Sequence, residues 1–245
     1  MPPGPRPSLS CRRTAGAAPG EPLPRSTECP HSSTQPAGAQ GGGAAAGTFG
    51  PPDTLQSVAE LDPPSWPPAP IRTARLVLRE SEPRDRAAFI RLFASAEVHT
   101  YLGGAAPLAD LERSVLSLPG RRPGSFVVEL DGAMVGLVTL DRREPTRPGH
   151  LAPEGNEAEL GYLFLPEAWG HGYAVEACRA VLAWFARTLP GEPVVLRTQL
   201  ANEASMRLAA KLGFTEVARF EEYGAAQWFG AITPPVGPAP ADAPG

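Results

Sequence analysis

The turn Trp169-Gly170-His171-Gly172-Tyr173-Ala174 separates a strand-like run from a helix-like one. Main-chain N–H groups at a helix start have no partner within the helix and sit at the positive end of its dipole. Glycines let such a backbone close around an anion, so the chemistry on offer is the gripping of a phosphate or diphosphate. A nucleoside-triphosphate loop is excluded because no Gly-Lys-Ser/Thr follows. A dinucleotide loop wants a third glycine where Val175 stands, and repeated strand–helix–strand units that the preceding sequence does not supply. A tight connection whose glycines serve geometry alone stays open as the alternative.

Little else in the chain offers rival chemistry. Cys11, Cys29 and Cys178 show no CxxC spacing and no grouping with His31, His99, His150 or His171. Neither a metal centre nor a disulfide framework is therefore expected. The net charge of −4 comes without a basic stripe, which argues against nucleic acid as a partner. No apolar run approaches the roughly 18 residues of a membrane span, and the N-terminus lacks the apolar stretch of a secretory signal. The expectation is a cytoplasmic protein with no metal, no membrane and no nucleic-acid partner; a homodimer is compatible with the sequence.

The turn needs elements to hold it. Residues 1–70 contain sixteen of the 31 prolines and nine of the 26 glycines, so they read as a disordered leader. Residues 234–245 read likewise as a tail, and 71–233 as one domain. Ile71 to Arg79 alternates and predicts a strand. Ser81-Glu82-Pro83 starts a helix carrying Phe89, Ile90 and Phe93, and a second short helix runs from Pro107 to Leu116. Ser125 to Leu130 and Ala133 to Leu140 flank Asp131-Gly132, a strong hairpin signal because both turn residues need positive φ. Arg142 to Gly155 is a polar loop. Glu157 to Leu165 is a strand in which Gly161 suggests a bulge or a close backbone approach.

After the turn, Ala174, Ala177, Cys178, Val181, Leu182 and Phe185 form a helical apolar stripe, which makes Cys178 a core residue. Pro193 to Leu200 is a strand, Asn202 to Leu212 a helix closed by Gly213, and Val217–Glu222 and Ala226–Thr233 two further strands. The order predicts an α+β fold with a mixed, mostly antiparallel sheet, the late strand–helix units supplying a local parallel pair.

With these elements in place, the sequence resembles the GNAT acyltransferase superfamily. Gly172 and Ala174 match the last two fixed positions of its cofactor motif Gln/Arg-x-x-Gly-x-Gly/Ala. Trp169 stands where Gln or Arg is usual, as in the branch resembling N-terminal acetyltransferases of the RimJ/RimL type. The same branch is echoed by Thr73-Ala74-Arg75-Leu76-Val77-Leu78-Arg79, by Leu160-Gly161-Tyr162, by Pro166-Glu167-Ala168-Trp169-Gly170, and by Asn202-x-x-Ser205 leading into Leu212-Gly213-Phe214.

The resemblance implies a single GNAT-like domain whose twisted sheet is flanked by about four helices and whose central strands splay. It implies acetyl-CoA as co-substrate and a primary amine as acceptor, a small molecule or a protein N-terminus. The pantetheine arm would pair with the backbone of Tyr162, Leu163 and Phe164. The diphosphate would rest on the turn opened by Trp169, on the amides of Gly170, His171, Gly172, Tyr173, Ala174 and Val175. Asn202 would cap its helix and touch the coenzyme arm.

Amide formation then asks for a base, an oxyanion donor and an acid. The resemblance gives the base to Glu222, with Glu159 as rival, the oxyanion to an N–H near Leu163 or Phe164, and thiolate protonation to Ser205. The His171 ring, inside the turn, is not expected to act. The alternative from another class is a non-catalytic acyl-CoA-binding sensor or interaction module; a dinucleotide oxidoreductase is a distant third.

Overall fold

The computed structural model describes residues 59–115 and 120–235, so most of the expected leader and tail lies outside the described residues. Among the described residues nine strands form one sheet: β1 (Ala59–Glu60), β2 (Ile71–Arg72), β3 (Val77–Arg79), β4 (Ser125–Leu130), β5 (Ala133–Arg142), β6 (Ala158–Phe164), β7 (Val194–Gln199), β8 (Thr215–Glu222) and β9 (Ala225–Ile232). The spatial order is β2-β3-β4-β5-β6-β7-β9-β8, with β1 pairing on β5. Every pairing is antiparallel except β6 with β7. The expected α+β class and the local parallel pair are both present.

Four helices cover the sheet among the described residues: α1 (Arg86–Ala94), α2 (Leu108–Ser114), α3 (Tyr173–Thr188) and α4 (Glu203–Leu212). Strand alternation sends successive side chains to opposite faces. Val127, Leu137, Leu163 and Leu165 meet Phe89, Phe93 and Leu111 of α1 and α2. Phe126, Val138, Leu160 and Leu196 meet Val181, Phe185 and Leu208 of α3 and α4. The hairpin expected at Asp131-Gly132 is present, with φ of 49° and 82° and Leu130 opposite Ala133.

Three expectations are corrected. The single strand from Ile71 to Arg79 is a tight hairpin instead, β2 returning on β3 with Ile71 opposite Leu78. Its turn closes through the Thr73 N–H donating to Leu76 O at 2.9 Å, and it points Thr73 and Arg75 at α3. Packed structure also begins before Ile71. Ala59 and Glu60 pair with Arg142 and Asp141, Leu61 is buried, and the Trp66 ring meets Phe126 and Trp184 edge-on at 5.1 and 5.8 Å. Proline density conceals this because it lowers strand propensity without preventing one aromatic from anchoring a segment. Finally, of the two readings of Gly161 the bulge is excluded, since β5 and β6 pair without a break from Arg142–Ala158 to Gly136–Phe164.

The feature that positions a site is the short contact between β6 and β7. They pair only at Ala158–Val194 and Glu159–Val195, although β6 continues to Phe164 and β7 to Gln199. Beyond those pairs the strands splay, as the resemblance implies. The N-terminus of α3 follows the end of β6 by way of a 3-10 turn, Pro166–Ala168.

Candidate active site

The edge of β6 facing the gap can be read from its register. Leu165 N–H donates to Val135 O, and antiparallel pairing alternates, so Leu163 and Gly161 also turn their main chain toward β5. The main-chain groups of Tyr162 and Phe164 face the gap. This divides the trio expected to hold a pantetheine arm. Leu163 is spent on β5, which also removes its N–H as an oxyanion donor. The Phe164 carbonyl is taken by the Trp169 indole N–H at 2.8 Å. What the gap offers is the N–H and C=O of Tyr162 and the N–H of Phe164.

At the head of the gap lies the glycine turn. Gly170 and Gly172 have φ of 78° and 80°, and Gly172 is the residue before the first turn of α3. In this left-handed region a side chain is strained, so glycine is the residue that permits the turn. Among the described residues no protein group accepts from the amides of Gly170, His171, Gly172, Tyr173, Ala174 or Val175; the helix ladder begins with Glu176 N–H on Gly172 O. These six donors are left without an acceptor among the described residues.

A clamp that sequence reading does not foresee holds this turn. Glu176, one turn into α3, accepts from Thr73 Oγ1 at 2.6 Å, from Arg75 N–H at 2.9 Å and from Arg75 Nε at 2.8 Å. Arg75 Nη1 reaches His171 O at 2.9 Å, and its guanidinium lies 4.5 Å from the centre of the Tyr173 ring. The His171 ring stacks on Tyr173, the ring centres 5.4 Å apart. The Thr73-x-Arg75 spacing is visible in sequence; its partner 101 residues away is not.

On the α4 side, Asn202 Oδ1 accepts from Ser205 N–H at 3.1 Å, the expected cap, which typically adds about 1 kcal/mol of stability. Ser205 faces the phenol of Tyr162, which burial pushes up from its ordinary pKa while Ser205 opposes the shift. Cys178 is buried in the core, its thiol pushed up by burial.

The two candidate bases share one buried charge cluster on the face of the sheet opposite α3 and α4, under the β5–β6 loop. Glu159 accepts from Arg143 Nη1 at 2.8 Å and lies 3.7 Å from Arg147 and 3.9 Å from Arg197. Burial alone would raise its pKa, but the three guanidiniums together hold it below the ordinary carboxylate range. Glu222 sits at the tip of the β8–β9 hairpin, accepting from Arg197 Nη1 at 2.7 Å with Arg147 Nε 3.5 Å away. Glu159 is enclosed as a counter-ion; Glu222 is nearer the surface. Gln199 Nε2 donates to Tyr101 O, which brings the α1–α2 connection over the same end of β7.

Acid sensitivity follows from these contacts. Glu157, Glu159 and Glu176 are each held below the usual range: burial opposes ionisation, and His150 with two main-chain amides, the arginines, and Thr73 with Arg75 respectively outweigh it. A carboxylate depressed in the folded state adds stability above its unfolded value, near 4.3, and loses it as pH falls through the folded value. Denaturation midpoints should stay level with respect to these groups down to about pH 5 and then fall, and Glu176→Gln should flatten the fall. A midpoint unchanged at pH 3 would contradict the assignment.

A splayed parallel pair with a helix N-terminus at its head and free strand edge along one side defines an acyl-CoA-type acyltransferase fold. The chain belongs to the GNAT acetyltransferase family: the acetyltransferase (GNAT) domain family matches residues 75–215. It is 28% identical over 156 residues to the uncharacterized N-acetyltransferase YoaA of Bacillus subtilis, covering 62% of this chain and 86% of the relative. The fold is shared with a GNAT-family acetyltransferase from Bacillus anthracis (TM-score 0.56, 22% identity, 67% of this chain and 98% of that one). It is shared too with RimL, the ribosomal L7/L12 alpha-N-protein acetyltransferase, in complex with coenzyme A (TM-score 0.53, 16% identity, 69% of this chain and all of the other).

Proposed function

We propose that this protein transfers an acetyl group from acetyl-CoA to a primary amine by direct attack in a ternary complex. The observation that carries the reading is the set of six unpartnered amides from Gly170 to Val175 beside the open edge of β6. A diphosphate satisfies those donors, and the pantetheine arm continues along Tyr162 and Phe164 as an added strand.

The chemistry then falls to side chains on both faces of the gap. The ammonium of the acceptor must lose a proton before attack, and Glu222 receives it directly or through water. As the tetrahedral intermediate forms, the Phe164 or Tyr162 N–H stabilises its oxyanion, a contribution typically of about 10²–10³ in rate. Collapse breaks the C–S bond; the nitrogen gives up its second proton to become the amide, and Ser205, backed by the Tyr162 phenol, passes its own proton to the thiolate and takes that one in return, so coenzyme A leaves as the thiol. Glu159 serves in this reading as the fixed counter-ion of Arg143, so Glu222 is the better base.

A thiol-release assay with acetyl-CoA against a panel of amines tests this, paired with calorimetry of acetyl-CoA binding. Amine-dependent release of coenzyme A is the expected result. Tight binding with no release for any amine would leave a non-catalytic acyl-CoA sensor in its place.

A further inference from the structure

The charge cluster around the two carboxylates does not balance. Facing one another there are three guanidiniums, Arg143, Arg147 and Arg197, and two carboxylates, Glu159 and Glu222; the phenol of Tyr223 is the remaining ionisable group at the cluster. Asp141, nearby, is closed off in a buried bidentate pair with Arg122. The cluster is left with one cation in excess.

The hydrogen bonds locate the excess. Arg143 is fully engaged, with Glu159, Gly149 O and Pro148 O. Arg197, whose side chain is 8% exposed, uses Nη1 on Glu222 and on Gln227 Oε1, but its Nε has no partner. Arg147, 15% exposed, has no partner for Nε or Nη2; its carboxylate neighbours stand at 3.5 and 3.7 Å. A guanidinium taken from water without hydrogen bonds is costly, more so with two like charges beside it. The polar loop between β5 and β6 nonetheless holds Arg147 there: Glu157 accepts from Leu151 and Ala152 N–H, and Gly149, at φ 84°, packs on Phe220 where no side chain would fit.

Resting on the acetyltransferase reading above, we propose that the acceptor is an amine that also carries a carboxylate, bound by the free N–H groups of Arg147 and Arg197 while its ammonium faces Glu222. A planar carboxylate matches the guanidinium fork and supplies the missing negative charge. Such an acceptor is a free amino acid or a close analogue. A polyamine or an aminoglycoside, cationic throughout, meets three guanidiniums and is repelled. Entry is from the side of Tyr223, whose ring lies 5.8 Å from Arg197 at the exposed tip of the β8–β9 turn, in a left-handed conformation (φ 54°) unusual for a tyrosine.

The test uses the full chain and matched pairs: amino acids against their α-amides and the corresponding decarboxylated amines, with spermidine as a polycation. Kcat/KM for the acid should exceed that for its amide at least tenfold. Arg147→Met should erase that preference chiefly through KM for the acid, bringing the acid-to-amide ratio of kcat/KM to within about twofold of one, and Arg147→Lys should restore part of it. Equal use of acid and amide, preference for spermidine, or an equal loss for both substrates in Arg147→Met would overturn the proposal while leaving the acetyltransferase reading intact. Should Arg147→Met fail to fold, the wild-type pairs decide alone. Calorimetric titration of the unreacted protein with the same pairs separates the two readings: acid binding without turnover sinks the transferase and keeps the carboxylate site, and no acid binding sinks the site.

Discussion

Gly172→Val should raise the dissociation constant for acetyl-CoA by at least about a hundredfold while leaving the fold in place. A β-branched residue at φ 80° is strained by roughly 1–3 kcal/mol, and the loop relieves the strain by turning its amides. Those amides act together, so re-aiming Gly172 also moves His171 and Tyr173, and the Arg75 anchor on His171 O goes with them. Among the described residues beyond its chain neighbours, an added Cβ at Gly172 meets within 4 Å just an Arg75 nitrogen, at 3.7 Å, so the core is untouched and circular dichroism should match the wild type. Calorimetry against acetyl-CoA checks the claim; unchanged affinity would mean that the diphosphate lies elsewhere and would undo the assignment of the turn.

Local features of the sequence predicted best. Asp131-Gly132 predicts its hairpin because two adjacent positive φ angles are needed there, and Asn202 and Gly213 bound α4 because each supplies what a helix end lacks. The open backbone of the glycine turn is legible for the same reason: Gly170 and Gly172 supply the two positive φ angles that leave its amides without partners. What alternation could not reveal was the meeting of distant parts. A run such as Ile71 to Arg79 looks like one strand until Glu176 claims Thr73 and Arg75 and bends it into a hairpin. Arg143, Arg147 and Arg197 carry no pattern at all, being set in a loop and a strand of unrelated spacing, and only the fold brings them to one pair of carboxylates. Glu159 and Glu222 were visible as candidates; their inequality was not, because it depends on which guanidinium encloses which carboxylate.

That inequality gives the other large effect. Glu222→Gln should lower kcat by about 10²–10³, with acetyl-CoA affinity within twofold, because the lost group accepts the proton of the acceptor and not the phosphates of the coenzyme. The deficit should have a pH signature. Without the base, the rate follows the fraction of acceptor already deprotonated, so it should climb about tenfold per pH unit toward the amine pKa, between roughly 8 and 10, and the gap to wild type should narrow there. A merely structural loss would not narrow with pH, and full activity at pH 7 would take Glu222 out of the mechanism. Glu159→Gln should behave differently. It leaves the wholly buried Arg143 without its counter-ion, a loss of about 3–5 kcal/mol in comparable pairs. A lower melting temperature with little change in kcat per folded molecule is expected. If instead Glu159→Gln shows the pH-dependent loss of kcat and Glu222→Gln the lower melting temperature, the roles of the two carboxylates are reversed and the amine approaches from the β6 side of the cluster.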